Sequence, residues 1–330
     1  MTDTALVIGG TRFIGRHTVS DLLANGYEVA MLNRGSHENP FADDDRVTHV
    51  EGDRTNERAL RTAKLSTEPD IVIDCVAYQP DDVATAVDIF ADIDGYVYVS
   101  SGSSYAAEEI PKRDGETPLE PCTPEQAVDE SDETYGNRKA EGDRIVSDAA
   151  EEGVNAMAVR PCVVYGPYDY TERLDYWIDR VLSHNRVVVP GDGQNLWHRA
   201  YVEDVASALR IVAERGDPGA AYNVGDRRAL TLEETLDAIA EAAGADPEVV
   251  PASADALAAG GLEPDDFPLY REYPHLLDTC ALADLGWEST PVDEAMARTV
   301  AEHREADRDG SEWDPGREAE ERVLGVKETL

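Results

Sequence analysis

Short apolar runs rich in β-branched residues alternate with longer helical patterns through the first half of the chain. The runs predict strands at residues 5–9, 28–32, 47–51, 71–75, 96–100 and 156–160. Between them, amphipathic stretches predict helices at 15–25, 81–91 and 134–152. Strands that alternate with helices favour a parallel sheet with helices on both faces, joined by right-handed crossovers. The predicted fold class is therefore α/β, with a doubly wound parallel sheet.

The pattern loosens after residue 170, where proline, glycine and aromatic residues become more frequent. A helix is predicted at 202–215, a short strand at "AAYNVGD", and a helix after the N-cap Thr231. Residues 247–286 look loop-rich, and 291–307 predict a last amphipathic helix. These elements predict a smaller C-terminal α/β substrate domain, interleaved with the sheet domain. The expected boundaries are 1–165 plus about 196–225 for the sheet domain, about 166–195 plus 226–310 for the substrate domain, and 311–330 for a charged tail.

The charge balance is strongly acidic, with 29 lysine and arginine residues against 69 aspartate and glutamate residues and a net charge of −40. Such a field repels nucleic acid and anionic membranes, so we expect neither as a partner. The acidic shell favours a halophilic protein in a salt-rich cytoplasm, with simple solubility as the alternative. The start "MTDTALVIGG" lacks the features of a signal peptide, which also predicts a cytoplasmic location.

The four cysteines lie far apart in the sequence, and the histidines are equally scattered. The chain has no C-x-x-C pair and no H-E-x-x-H motif. We therefore expect reduced cysteines and no metal site.

A glycine-rich turn, "GGTRFIG", follows the first predicted strand and leads into the first predicted helix. This context is typical of a Rossmann-type dinucleotide site, in which a helix N-terminus directs N–H groups at a pyrophosphate. Gly9 would allow the tight turn, and Gly15 would let the helix pack closely on the sheet. Arg12 replaces the middle glycine, although its backbone can still donate and its guanidinium can pair with phosphate. The alternative is a glycine turn without a ligand.

The end of the second predicted strand bears on which dinucleotide binds. It reads Asn33-Arg34, without the acidic residue that would hold the adenosine ribose of NAD. An arginine beside the ribose suits a 2′-phosphate, so NADP is favoured over NAD, unless Arg34 is a solvated loop residue. Asp53, after the third strand, is placed to accept from the adenine amino group, with an exposed turn aspartate as the alternative.

Tyr135 and Lys139 are four residues apart on a predicted helix, which places both on one face. A nearby cation would favour the phenolate of Tyr135, which would then take a proton from a substrate alcohol while hydride leaves for a nicotinamide. A tyrosine and lysine paired only for packing is the alternative. The serines that follow the strand at 96–100 would meet the ligand crevice, and a hydroxyl there can bond the substrate oxygen.

The order and spacing of these motifs resemble the extended short-chain dehydrogenase/reductases, the NAD(P)-dependent epimerase/dehydratase family. The matching segments are "VIGGTRFIG", "VEGDRTN", "VYVSSGSSYAA", "YGNRK", "VRPCVVYGP", "VPGDGQ", "YVEDVASAL", "YNVGD" and "LGWESTPVDEAM". The resemblance implies that Ser101, Tyr135 and Lys139 are catalytic. It also implies a homodimer through the helices at 81–91 and 134–152.

Three departures from the family pattern narrow the function. Family dehydratases follow the serine or threonine with an Asp-Glu pair, whereas Gly102 and Ser103 stand here, so dehydration is not expected. Trp197 occupies the position of an arginine that many family members place against a sugar diphosphate, with Arg199 nearby. The "GGTRFIG" turn also resembles the chloroplast stem-loop RNA-binding branch, although the charge of −40 argues against RNA.

The predicted function is an NAD(P)-dependent epimerase or oxidoreductase acting on a sugar or nucleotide sugar. The alternatives are a reductase of a non-nucleotide carbonyl substrate with NADPH, and a non-catalytic cofactor-binding scaffold. Candidate substrate contacts are Ser103, Trp197 and Arg199. Candidate cofactor contacts are Gly9, Thr11, Arg12, Phe13, Ile14, Gly15, Asn33, Arg34, Asp53, Arg54, Val76, Ala77, Tyr135, Lys139, Pro161 and Val163.

Overall fold

Eleven strands and twelve α-helices follow one another along residues 3–327, the part of the chain that the computed structural model describes. The strands are β1 (Thr4–Ile8), β2 (Glu28–Asn33), β3 (Val47–Glu51), β4 (Ile71–Asp74), β5 (Gly95–Val99), β6 (Ala156–Pro161), β7 (Val163–Tyr165), β8 (Arg186–Pro190), β9 (Arg199–Tyr201), β10 (Ala221–Val224) and β11 (Glu248–Ala252). The helices are α1 (Phe13–Ala24), α2 (Glu57–Thr67), α3 (Pro80–Ile89), α4 (Pro124–Ala127), α5 (Tyr135–Glu151), α6 (Arg173–Ser183), α7 (Val202–Arg215), α8 (Leu232–Ala243), α9 (Ala254–Gly260), α10 (Cys280–Asp284), α11 (Val292–His303) and α12 (Arg317–Lys327).

Seven strands form one parallel sheet in the order β10-β6-β5-β4-β1-β2-β3. From β1 the chain winds outward first to β2 and β3, and then returns to build β4, β5 and β6 on the other side. The carboxyl ends of β1 and β4 therefore flank a topological switch point, where doubly wound sheets bind their ligands. The predicted fold class is confirmed.

Burial follows from position in this sheet. Every residue of β4, β5 and β6 is buried, as expected for central parallel strands covered on both faces, whereas β3 at the edge is mostly exposed. One face of the sheet packs its apolar side chains against α2, α3 and α5, and the core there includes Leu6, Ile8, Leu60, Val83, Tyr98 and Val146. Helices α1 and α7 cover the other face.

Most predicted elements are present with ends shifted by one or two residues. Helix α7 has the predicted bounds, and Thr231 caps α8 through a reciprocal capping box with Glu234. The prediction omitted α2, α4, α6, α9, α10, β7, β8, β9 and β11. Helices α2 and α6 do have apolar residues at helical spacing, which the prediction overlooked, whereas the runs of β8 and β11 are too short to separate from loops by periodicity.

Internal contacts divide the chain into two units. The first comprises residues up to 164, 202–225 and 277–289, and the second comprises 165–201, 226–276 and 290 onward. The segment 277–289 was expected in the substrate domain but belongs to the first unit, because Leu277 forms a bridge with Lys112 and the Trp287 indole donates to Asp204 O at 2.9 Å. The second unit holds a parallel pair, β8 with β11, and helices α6, α8, α9, α11 and α12.

The structure corrects the prediction of a charged tail at 311–330, because residues 317–327 form α12. Ala319, Val323 and Leu324 are buried on one side of this helix, which packs against α9. Glu320 is fully buried and accepts from the Arg180 Nε at 2.9 Å. The dense charge of the sequence concealed an apolar spacing of three to four residues. Residues 328–330 lie outside the described part. No helix among the described residues is both long and apolar enough to cross a membrane.

Candidate functional site

The glycine turn after β1 has no room for additional side chains. Gly9 adopts φ +93°, and a Cβ there would lie 2.6 Å from Val76 Cγ1 at the end of β4. A Cβ at Gly15 would overlap the carbonyl oxygen of Gly9. The sequence therefore needs glycine at both positions to bring the start of α1 against the end of β1.

The N-terminus of α1 lacks a side-chain cap. Arg12 occupies the N-cap position with extended backbone (φ −128°) and makes no capping hydrogen bond, and the first turn carries no acidic residue. Thr11 and Ile14 are partly exposed, whereas Phe13 is buried with a positive φ of 33°, an uncommon backbone conformation for a residue with a side chain. An uncapped helix N-terminus beside a tight glycine turn fits the phosphates of a dinucleotide.

At the end of β2, the side chain of Asn33 is held in one orientation. Its Oδ1 accepts from Gly35 N–H at 2.9 Å and lies 2.9 Å from His49 Nε2, while its Nδ2 is buried without a hydrogen-bond partner. Arg34, the next residue, is exposed. This corner therefore presents one exposed guanidinium and one buried amide donor that still needs an acceptor.

Asp53 closes the turn after β3 by accepting from the backbone N–H and hydroxyl of Thr55, at 3.0 and 2.8 Å. These hydrogen bonds, with smaller effects from Arg34 and Arg54, lower the pKa of the Asp53 carboxyl. Asp53 is thus an exposed, ionised carboxylate within electrostatic reach of Arg34, and one of its oxygens is engaged by its own turn.

The structure corrects the expectation for Arg54, because its guanidinium is buried in an internal ion pair. It donates to the fully buried Asp74 at the end of β4, and to Asp82 in α3 through Oδ1 at 3.2 Å and the carbonyl oxygen at 2.8 Å. The Tyr96 hydroxyl also lies 3.3 Å from Asp74. The Arg54 guanidinium is therefore already engaged inside the protein and is not available to a cofactor.

The predicted tyrosine and lysine lie at the start of α5. Lys139 is buried, and its Nζ donates to Val99 O, at the end of β5, at 2.7 Å and to Ala77 O, in the segment after β4, at 2.9 Å. Its ammonium lies 5.7 Å from the ring centre of the partly exposed Tyr135. Burial lowers the pKa of Lys139 to about 8, against opposing effects of Asp74, Asp143 and Asp82. Among the residues that the structure describes, two carbonyl oxygens accept from this ammonium, which has three protons to donate, so one proton can serve a ligand.

The serine segment meets the same end of α5. Ser101 Oγ accepts from Ser103 N–H at 3.1 Å, which leaves the Ser101 hydroxyl proton able to donate. A Cβ at Gly136, directly after Tyr135, would overlap the carbonyl oxygen of Ser103. The absence of a side chain at Gly136 therefore lets the serine turn and Tyr135 approach each other. Ser103 itself is exposed.

The remaining predicted cofactor residues follow strand ends of the same unit. Val76 and Ala77 lie in the segment after β4, Pro161 ends β6, and the buried Val163 begins β7. The predictions missed Tyr78, Tyr98, Gly136 and Asp74, which also lie around Lys139 or Tyr135. Only the "YG" after the predicted catalytic tyrosine carried a readable signal for Gly136.

The two substrate candidates of the second unit differ in their surroundings. The structure corrects the prediction that Arg199 contacts the substrate. Arg199 is buried, and its guanidinium donates to Leu230 O at 2.9 Å and to the Thr235 hydroxyl. These contacts give it a packing role at the start of α8. Trp197 is partly exposed, with the Arg271 guanidinium 5.6 Å from its ring centre, and remains a candidate. Among residues 3–327 no group of three or more histidine, cysteine, aspartate or glutamate side chains is arranged to hold a metal ion.

Comparison with known proteins gives one family. The model of the NAD dependent epimerase/dehydratase family matches residues 5–94 and 81–225. The low-salt glycan biosynthesis protein Agl12 of Haloferax volcanii is 30% identical over 266 residues, which cover 72% of this chain and 82% of that protein. The chloroplast stem-loop binding protein of 41 kDa b of Arabidopsis thaliana is 26% identical over 258 residues, which cover 74% of this chain but only 65% of that protein.

Solved structures with the same fold include two proteins of nucleotide-sugar metabolism. A dTDP-glucose 4,6-dehydratase from Bacillus anthracis in complex with NAD superposes with a TM-score of 0.72 at 21% identity, over 94% of this chain and 98% of that one. A UDP-glucose 4-epimerase from Thermotoga maritima with UDP-glucose gives 0.70 at 22% identity, over 92% and 99%. At these identities the likeness concerns the fold.

Proposed function

Because the chain belongs to the NAD dependent epimerase/dehydratase family, as its motifs indicated, we propose that it is an NAD(P)-dependent enzyme that oxidises or reduces a hydroxyl or keto group of a sugar or nucleotide sugar. The observation that carries this proposal is the pairing of Tyr135 with the buried ammonium of Lys139 at the end of β4 and β5. A scaffold protein has no need to bury a cation beside a partly exposed phenol.

Each residue of this group has a chemical task. Tyr135 takes the proton of the substrate alcohol, or returns it to the ketone, because the cation of Lys139 favours its phenolate. The Ser101 hydroxyl donates to the substrate oxygen as charge develops there. When bound, the nicotinamide supplies the acceptor or donor of the hydride. The third ammonium proton of Lys139 is free for a ribose hydroxyl of the cofactor.

The cofactor would be held by the glycine turn and the N-terminus of α1, with the adenosine ribose near Asn33 and Arg34. Several solved relatives carry NAD, and both NAD and NADP fit the turn. The exposed guanidinium of Arg34 and the donor Nδ2 of Asn33 support a preference for the 2′-phosphate of NADP, since a phosphate only accepts hydrogen bonds. Asp53 opposes this preference by its charge, so the selectivity is expected to be moderate.

Epimerisation or simple oxidation and reduction fits the site better than dehydration. Gly102 and Ser103 follow Ser101, and neither can act as the carboxylic acid and base of the family dehydratases. By the same family logic, α3 and α5 would form a homodimer interface.

Two other functions keep a specific observation in their favour. Trp197 in place of a family arginine, together with Arg34, favours a reductase of a non-nucleotide carbonyl substrate that uses NADPH. The similarity to a chloroplast stem-loop binding protein favours a cofactor-binding scaffold without turnover. The net charge of −40 argues against RNA as the partner of such a scaffold.

The deciding experiment begins with mass spectrometry of the purified protein for a bound dinucleotide. The protein is then incubated with UDP-, GDP- and dTDP-sugars and the products are identified by chromatography and mass spectrometry. A retained cofactor, an epimeric product and no net absorbance change at about 340 nm, the nicotinamide signal, would support an epimerase. A net change would support a dehydrogenase or reductase, and cofactor binding without any product across sugars and simple carbonyls would favour the scaffold.

A further inference from the structure

The ammonium of Lys139 lies among three tyrosine rings. Its Nζ is 4.8 Å from the ring centre of Tyr98, 5.3 Å from that of Tyr78 and 5.7 Å from that of Tyr135. The three rings come from different elements: Tyr98 from β5, Tyr78 from the segment before α3, and Tyr135 from α5. Each distance is within the reach of a cation–π interaction. We name Tyr78 and Tyr98 the ring pair, because the proposed reaction uses Tyr135 only.

Burial of Lys139 disfavours the positive charge that the proposed reaction needs on this residue. Lys139 is 2% exposed, and loss of water lowers its pKa to about 8. The charged groups that act on it are Asp74 of β4, Asp82 of α3, and Asp143 and Arg138 of α5. Asp74 and Asp82 share Arg54, and Asp143 is bound to Arg160. Because all three carboxylates are already paired with an arginine, they compensate only in part for the loss of water around Lys139.

Packing fixes the ring of Tyr98, and a backbone hydrogen bond fixes the segment that carries Tyr78. A Cβ at Gly142 would lie only 2.6 Å from the Tyr98 hydroxyl oxygen. The absence of a side chain at Gly142 therefore leaves space for the Tyr98 ring against α5. Asp82 holds the backbone N–H of Tyr78 at 3.1 Å. Burial raises the pKa of Tyr98 well above its ordinary value, so Tyr98 stays a neutral phenol and acts on Lys139 through the face of its ring.

We propose that Tyr98 and Tyr78 are positioning residues that keep Lys139 charged beside Tyr135, by offering their ring faces to an ammonium that water no longer reaches. The catalytic use of this charge rests on the proposed function. The charge state of Lys139 itself is a property of the free protein and can be measured without a reaction. The group that the ring pair binds is the ammonium of Lys139, which belongs to the same chain.

The test measures the ionisation of Lys139 without substrate or cofactor. Trace labelling with acetic anhydride between about pH 6 and 11, followed by peptide mass spectrometry, reports the free-amine fraction of each lysine. The chain has only four lysines, which makes Lys139 easy to follow beside Lys64 as an internal reference. Tyr98→Leu removes the ring face, whereas Tyr98→Phe keeps it and loses only the hydroxyl.

We expect Tyr98→Leu to lower the midpoint of Lys139 by about one pH unit, a tenfold shift toward the amine, and Tyr98→Phe to leave it within about 0.3 unit. A midpoint in Tyr98→Leu that is unchanged or higher would overturn the proposal. If Tyr98→Leu does not fold, the more exposed Tyr78 supplies the same comparison through Tyr78→Leu and Tyr78→Phe, with a smaller downward shift expected.

Turnover, once a substrate is known, gives an independent readout. The alkaline limb of the pH profile should move to lower pH in the leucine variant and return in the phenylalanine variant, because activity is lost as Lys139 deprotonates. A shifted Lys139 midpoint in a protein that turns over no sugar would uphold the ring pair and refute the proposed reaction. An unshifted midpoint in an active enzyme would do the reverse.

Discussion

The ammonium of Lys139 lies 5.7 Å from the ring centre of Tyr135, one turn away on the same helix, and it donates to the carbonyl oxygens of Val99, at the end of β5, and of Ala77, in the segment after β4. The four-residue spacing alone places both side chains on one face of α5. The carbonyl oxygens of Val99 and Ala77 also fix the position of the ammonium, which the spacing alone does not. They hold it beside the carboxyl ends of β4 and β5. The pair is therefore part of the sheet edge where this fold binds ligands.

The glycine turn can be tested by adding a single methyl group. Gly15→Ala should weaken binding of NAD and NADP at least tenfold, because the new Cβ would overlap the Gly9 carbonyl and displace the start of α1. Gly325→Ala, in α12, is the matched control, since a Cβ there has open space, and it should leave both affinities unchanged. Dinucleotide titration by calorimetry measures the effect. Wild-type affinity in a folded Gly15→Ala variant would remove the turn from the site.

Gly136 gives a second steric test, directed at catalysis. A Cβ there would overlap the Ser103 carbonyl, so Gly136→Ala should push the Ser101 turn away from Tyr135. We expect turnover to fall by about 10- to 100-fold, as misplacement of reacting groups does, while cofactor affinity changes less than about twofold. Ser147→Ala, on the exposed side of the same helix, is the control. Equal turnover by Gly136→Ala and wild type would contradict this role.

Cofactor selectivity is testable at Arg34. Arg34→Ala should weaken NADP by about one to two decades and leave NAD unchanged, since one charge-assisted contact contributes roughly 1.5–3 kcal/mol. Arg58→Ala removes the same charge from exposed α2 and controls for the general field. Arg12→Gly should weaken both cofactors alike. The NADP preference should shrink as salt rises. Tighter binding of NAD than of NADP by the wild-type protein would refute the preference.

The C-terminal helix α12 should contribute directly to stability. Arg180→Ala leaves the fully buried Glu320 with Arg317 as its remaining arginine partner, so we expect a loss of about 3 kcal/mol in the free energy of unfolding of the second unit. Arg298→Ala breaks an exposed pair with Glu294 and should cost less than about 0.5 kcal/mol. Urea unfolding followed by circular dichroism compares them. Equal midpoints would indicate that α12 is not anchored through this ion pair.

The sheet could be predicted because its signal is local. Buried parallel strands are short continuous apolar runs, and several of them, such as β1 and β4, are followed by a helix whose apolar residues repeat every three to four positions. The tyrosine, the lysine and the glycine turn were predictable for the same reason, since their spacing is local. Helix α12 was missed because its buried apolar side chains, Ala319, Val323 and Leu324, lie in a strongly charged segment.

What could not be predicted depends on partners distant in sequence. Arg54 looked like a ligand beside Asp53, but its guanidinium binds Asp74, 20 residues further along the chain. Arg199 is likewise bound to Thr235, 36 residues away. The rings of Tyr78 and Tyr98 reach Lys139 only after three elements have packed together. The sequence does not show whether an arginine is exposed or bound inside the protein, because this depends on residues that only the fold brings close to it.

In the proposed function, Tyr135 transfers the proton in an NAD(P)-dependent reaction on a sugar. The most direct measurement compares turnover and cofactor affinity of wild type, Tyr135→Phe and the control Tyr273→Phe, which makes the same change on an exposed tyrosine of the second unit. Using the nucleotide sugar that the substrate panel identifies, we predict that Tyr135→Phe lowers turnover by at least about 100-fold with cofactor affinity unchanged, and that Tyr273→Phe matches wild type. Turnover of the same sugar by Tyr135→Phe at the wild-type rate would contradict the account.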